Sequence, residues 1–342
     1  MNPGGLRRAR LSRAQALVAA ASGVAFTVLA FLVTPLQGRA DFVVVAWLLA
    51  TAAYLGAAGR TEGRRSVVNR AAGVLVVTAV AVCLVALGSL LAYTVVRGAK
   101  ALRPGFFTHS MLGVGARDTN GGAYHAIIGT LEQVLMACIL SVPTGLLVAI
   151  YLTEFGRGRL AAAVRVLIDV MVGIPSIVAG LFIYAFWVLG LHRGFSGLAA
   201  AMALSILMLP IVVRTSEEMI KLVPGPLREA AYALGIPRWR TVLSIVLPTA
   251  SAGITTGVML AVARVTGETA PLLLTAFGFD SVHVNPFNGA QSSLPLFVFL
   301  QAGSAFKPAI DRAWAGALTL IVIVLLLTVV ARVLTRRNQL AN

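Results

Sequence analysis

Five charged residues sit where the surrounding sequence is too oily to solvate them. The stretch "VMLAVARVTGETAPLLLTAFG" (258–278) carries Arg264 and Glu268 four residues apart. The stretch "LPIVVRTSEEMIKLVP" (209–224) carries Arg214 and Glu217 three apart, and Asp169 stands in "VLIDVMVGIPS". On a helix, both spacings put the two charges on one face. Arginine stays charged at any working pH, and its planar guanidinium grips an oxyanion through two parallel hydrogen bonds. A lone charge at the centre of a bilayer costs at least about 2.5–3.5 kcal/mol, so such an arginine should face a polar interior with a carboxylate nearby. In that arrangement Glu268 holds the arginine between passages and keeps an oxyanion from binding too tightly to leave. The competing readings are structural. Arg264 and Glu268 would be an ion pair that glues helices, and Arg214 with Glu217 a cytoplasmic anchor with a surface pair. For Asp169 a structural pairing with Arg214 or Arg165 is preferred to accepting a proton from the cargo.

The elements that must carry these charges are membrane helices. The chain has 342 residues, of which 58% are hydrophobic, against about 45–50% in soluble domains. The composition therefore predicts an all-α, polytopic bundle. The net charge of +16 does not point to nucleic acid, because the basic residues fall in short runs between apolar stretches without interleaved aromatics. Cys83 and Cys138 lie in apolar spans and read as buried small hydrophobes, with no disulfide expected. Four scattered histidines lack ligand spacing, and no metal site is expected.

At roughly 20 residues per crossing, eight apolar stretches qualify, near 14–34, 42–59, 71–96, 124–152, 166–190, 198–213, 245–276 and 313–331. With both termini cytoplasmic, roughly two-thirds of the 28 Lys and Arg fall on the inner side, which sets the expected orientation. The first two stretches form a hairpin around "PLQGRA", followed by the Arg-rich link "RTEGRRSVVNR". Residues 1–66 thus read as an N-terminal hairpin and link, added to a six-span body over 67–342. The N-terminal basic run resembles a signal peptide, but its apolar segment is long for one and reads as a retained span. Two irregular stretches, 97–123 and 277–312, fall outside. The second holds a short apolar run at 294–300, expected either as a helix at the interface or dipping into the bundle, or as a packed loop. Pro143, Pro175 and Pro210 are expected to interrupt three spans, and Glu132 to reach the outer interface.

The cytoplasmic stretch "VPGPLREAAYALGIPRWRTVLSIVLP" (223–248) reads as helix, break, helix. Pro226 suits a first helical turn, Gly235 a left-handed helix end, and Pro237 the next start. Ala230 and Ala231 give the first helix a small face that a bulkier surface can approach.

This stretch resembles the EAA loop of permeases from bacterial ATP-binding-cassette importers. Glu229, Ala230, Ala231, Gly235, Ile245, Leu247 and Pro248 fill all seven fixed positions of that pattern. The resemblance narrows to the phosphate-specific transport system, PstA type. It rests on "GIPSIVAGLFIYAF" (173–186), "LPIVVRTSEEMIKLVP" (209–224), the loop itself and "ARVTGETAPLLLTAFG" (263–278), and it covers roughly 70–335. It implies a coupling helix docked in a groove of a separate ATPase, with no cofactor in this chain and ATP and Mg held by that partner. It also implies a PstC-type sister permease, a homodimeric PstB-type ATPase, a PstS-type external phosphate-binding protein, and transport roles for the arginines at 264 and 214. The chain has only three lysines, Lys100, Lys221 and Lys307, and none follows a glycine, so there is no Walker A loop. The alternatives are a permease for sulfate or molybdate, an ion-coupled secondary transporter, and a non-transporting membrane assembly.

Overall fold

The structure, a computed structural model, describes residues 12–33 and 38–340. The N-terminal basic run and most of the loop between the first two stretches lie outside these residues. The chain is an all-α bundle of thirteen α-helices among the described residues. It forms two compact units, residues 1–92 and 93–342.

In the first unit α1 (Arg13–Val33) and α2 (Arg39–Thr61) pack as a hairpin, with Gly23 against the backbone of Ala50. The link to α3 (Arg64–Ala101) is clamped by Arg70. Its guanidinium donates to both oxygens of Glu62, at 2.8 and 2.5 Å, and to the Tyr54 hydroxyl. Cys83, expected to be buried, is exposed on α3. α3 buries none of its most apolar stretch, so a small thiol there has no core to enter.

The second unit is built around α7 (Gly197–Lys221), which begins at a Ser196 cap. Small residues on α7 (Ala199, Ala200, Ala201 and Ala203) are fully buried. They let α4 (Tyr124–Ile150), α6 (Ser176–Ile183) and α10 (Leu247–Thr266) approach closely, as membrane helices must when lipid is as apolar as their own side chains. Gly253 lies against Met219, and Gly257 against Thr215. A Cβ at Gly257 would stand 2.6 Å from the Thr215 Cβ. Four residues forward on α10 therefore match four back on α7. The same antiparallel step brings Arg264 level with Met208, beside the middle of α7.

Several expected spans differ. Among the described residues six helices are long and apolar enough to cross a membrane. The stretch 166–190 is not one straight span. It is a pair, α5 (Gly158–Val172) and α6, bent by 106° at Gly173 and Pro175. Proline lacks the N–H that would continue the helix, so the break falls there. Pro143 and Pro210 interrupt nothing and sit inside continuous helices. The span 198–213 continues to Lys221, so Arg214 and Glu217 are on the helix, not past its end. The span 245–276 stops at Thr266, and α11 (Ala270–Thr275) follows as a separate short helix. The run 294–300 forms α12 (Leu294–Ala302), and Leu294, Leu296 and Phe297 are buried against its neighbours. The last helix, α13, spans Lys307–Leu340. Glu132 is half-buried and accepts a 2.5 Å bond from Gln291, whose side chain also accepts from Gln133 and holds the 277–312 stretch onto α4.

Gly257→Val tests the α7–α10 contact. The added bulk should lower thermal stability by about 1–3 kcal/mol, read as an earlier unfolding midpoint in detergent than that of an exposed control, Gly56→Ala.

Candidate functional site

Two helices bring the first group of charges together. Asp169 and Arg165 come from α5, and Arg214, Glu217 and Lys221 from α7. Glu217 is the hub, with only 2% of its side chain exposed. It accepts from Lys221 at 2.7 Å and from Arg214 at 3.2 Å, and Arg165 stands 3.8 Å away. Arg214 also pairs with Asp169, while Arg165 donates to the Leu152 carbonyl at 2.9 Å. The i, i+3 pair predicted at Arg214 and Glu217 is present. Lys221 and Arg165 enlarge it to a network that sequence spacing alone did not expose, although Lys221 lies four residues from Glu217 on the same helix.

The second predicted pair does not form. α10 ends at Gly267, whose N–H bonds back to the carbonyl oxygens of Arg264 and Val265. Thr269 then opens α11 with Pro271 in its first turn. Glu268 is therefore past a helix end and not one turn above Arg264. Glycine at 267 and proline at 271 are the local reasons. Among the described residues no carboxylate lies within 4.0 Å of the Arg264 guanidinium. Arg264 is exposed on the isolated chain, and Glu268 is half-buried. By the helix register, Arg264 lies six residues beyond the level of Arg214, about 9 Å along the axis.

The loop 223–248 folds as its sequence predicts. α8 (Gly225–Ala233) has Pro226 in its first turn, Gly235 follows at φ +74°, and Pro237 precedes α9 (Arg238–Thr241). Ala231 is buried, whereas Glu229, Ala230 and Gly235 are exposed. Ile245 lies in a wide, π-helical turn (Val242–Val246), and Leu247 and Pro248 start α10. Large apolar side chains project outward from the knob, among them Leu227, Tyr232, Leu234 and Trp239.

What fastens this knob to the bundle was not anticipated. Arg228 donates to buried Glu154 at 2.9 and 3.1 Å, and to the carbonyl oxygens of Ile220 at 2.8 Å and Val223 at 2.6 Å. Glu154 lies in a second wide turn (Tyr151–Phe155) that extends α4. The signal was present in sequence as an arginine beside the Glu229 position and a glutamate 74 residues earlier. Nothing local joins them.

The bundle thus carries Arg264 level with the middle of α7 and a fastened apolar knob at one end. The chain belongs to the family described as binding-protein-dependent transport system inner membrane component, whose profile matches residues 141–339. It is a multi-pass membrane protein. It is 43% identical over 282 residues to the phosphate transport system permease protein PstA 1 of Mycobacterium tuberculosis (strain ATCC 25618 / H37Rv), covering 81% of this chain and 92% of that one. It is also 43% identical over 262 residues to the phosphate transport system permease protein PstA of Mycobacterium leprae (strain TN), covering 76% and 86%. A solved inward-facing structure of the MetNI methionine ABC transporter aligns with TM-score 0.49 and 18% identity over 63% of this chain and 94% of that chain.

Removing one member of a buried pair leaves the other uncompensated, at about 3–5 kcal/mol. Arg228 stays 18% exposed, so Arg228→Gln should fall at the low end of that range. The single variants Arg228→Gln and Glu154→Gln should each lower the unfolding midpoint, and the double variant should cost less than their sum.

Proposed function

We propose that this chain is the PstA-type permease of an ATP-driven importer for inorganic phosphate. The observation that carries the reading is its near full-length similarity to proteins named for phosphate transport. In this reading both termini are cytoplasmic, and a PstC-type permease completes the translocation path. A homodimeric PstB-type ATPase holds ATP and Mg, and a PstS-type protein delivers phosphate from outside. Residues 1–66 are an addition to the permease domain at 67–342.

The geometry supports a division of labour. α8 presents Leu227, Tyr232 and Leu234 to the ATPase groove, and Ala230 leaves room for close approach. Closure of the ATPase pushes on α8. The Arg228 clamp passes that push to the ends of α4 and α7, and the short α9 passes it to α10. Arg264 meets phosphate at mid-depth, where an unpaired guanidinium has both donor edges free for two phosphate oxygens. Arg214 is the second cation on the cytoplasmic side, and Asp169 and Glu217 hold it and compete with phosphate so that the ion leaves. Glu268 follows Arg264 four residues on, past the helix break. This subunit breaks no covalent bond.

Uptake of radiolabelled phosphate, in cells without other phosphate importers, tests the reading. Losing a charge-assisted contact of about 1.5–3 kcal/mol should lower uptake by Arg264→Gln roughly tenfold to a hundredfold at matched membrane levels. Excess sulfate or molybdate should leave wild-type uptake unchanged. Abolition of uptake by either anion would overturn the substrate assignment. A second experiment targets the knob. Leu234→Asp should release the co-purifying ATPase while the permease stays folded, since Leu234 is 80% exposed. Retention of the ATPase by this variant would remove Leu234 from the docking surface.

A further inference from the structure

At the end of the second unit away from the 223–248 loop lies a cavity of about 430 Å³ lined by five cations and one carboxylate. The last turn of α3 supplies Arg97 and Lys100, and Arg103 precedes the single turn Pro104–Phe107. The start of α13 supplies Lys307, Asp311 and Arg312. The helices close on each other just below it. Gly98 faces the Trp314 carbonyl, and Tyr93 meets Trp314 edge to face at 5.0 Å.

One of the five cations has its hydrogen bonds filled. Arg312 is buried and donates to Gln301 at 3.1 Å and to the carbonyl oxygens of Gly115, Asp118 and Asn120. It pins the loop that forms the rim. The other four are exposed, and none has a carboxylate within 4.0 Å among the described residues. Arg97 is held in place by its bond to the Tyr93 hydroxyl at 3.1 Å and by lying over that ring. The first turn of α13 adds its own positive partial charge.

Interface anchors are the ordinary use of cations at span ends, and anchors point outward, each to its own stretch of water or headgroup. Here cations from three separate elements face one cavity, where they repel one another, and an anion placed among them relieves that repulsion. The concentration also runs against the charge rule. In the proposed orientation this end is external, where loops should be poor in lysine and arginine. The room is adequate, since at about 30 Å³ per water the cavity holds roughly a dozen.

We propose that Arg97, Lys100, Arg103 and Lys307 form a binding site for a phosphate group at the external end of this permease, separate from Arg264 and Arg214. A phospholipid headgroup and free inorganic phosphate present the same chemistry, a tetrahedral anion with two or more acceptor oxygens. Asp311 accepts a hydrogen bond from a protonated phosphate oxygen or a headgroup hydroxyl.

The full chain, purified with the subunits that accompany it, tests this in two arms. Native mass spectrometry measures phosphatidylglycerol retained from mixed phosphatidylglycerol–phosphatidylcholine nanodiscs. A thermal-shift titration measures inorganic phosphate. The combined variant Arg97→Gln, Arg103→Gln, Lys307→Gln should weaken at least one probe by about tenfold or more. Arg97→Lys, Arg103→Lys, Lys307→Arg should stay within about threefold of wild type, as should Arg159→Gln, a cation outside the cavity. Loss for phosphatidylglycerol alone makes the ligand a lipid headgroup. Loss for inorganic phosphate alone makes it the free ion, and both losses support the site. Equal binding of both probes by wild type and the neutral variant overturns it. If that variant does not fold, Lys307→Gln alone is read the same way, with an expected loss of about threefold.

Discussion

Arg228 does two jobs with one guanidinium. A helix end leaves carbonyl groups without partners, and a buried carboxylate needs a cation. Arg228 answers both, closing the last turn of α7 through Ile220 and Val223 while neutralising Glu154 at the foot of α4. The 223–248 loop is fixed to the two helices that share the unit's tightest packing. Every other property of the knob follows from that fastening. Its apolar residues can face outward because its base is already held, and Ala231 alone on α8 needs to be buried.

A second theme is where helices stop. Gly173 and Pro175 bend one stretch by 106°, and Gly267 ends another just after Arg264. The short helices that follow the two breaks pack on each other. A Cβ at Gly180 on α6 would stand 2.6 Å from the Pro271 Cα on α11. Irregular backbone at membrane depth is tolerated only inside protein or beside a watery path, and here broken pieces cover each other. The arginine at the end of α10 is thereby left without a local carboxylate, which suits a cation proposed to meet a passing anion.

Much of this was legible in the sequence, for reasons that differ by residue. The helix–break–helix of the 223–248 loop was readable because Pro226, Gly235 and Pro237 act on their own backbones. The Arg214–Glu217 pair was readable because three residues on a helix is a fixed geometry. The Arg264–Glu268 pair failed for the same reason inverted. Four residues is one turn only while the helix lasts, and glycine at 267 ended it. Prolines were half legible, since Pro175 marks a break as expected while Pro143 and Pro210 sit inside continuous helices. The pairing of Asp169 with Arg214 was one of the two expected, because a carboxylate in an apolar stretch needs a cation and few stood near, whereas Glu154 with Arg228 and Glu132 with Gln291 were out of reach in kind. Each joins segments that only tertiary packing brings together.

Arg264 has a consequence for how the cell must handle this chain. A guanidinium at mid-depth that its own polypeptide does not neutralise makes the solitary subunit a poor resident of the bilayer, by at least about 2.5–3.5 kcal/mol. The chain is comfortable only when something else lines the face that Arg264 looks onto. On the proposed function, copies without a partner subunit are the unsettled ones, so the charge proposed to meet phosphate would also tie the amount of permease to the amount of its partner.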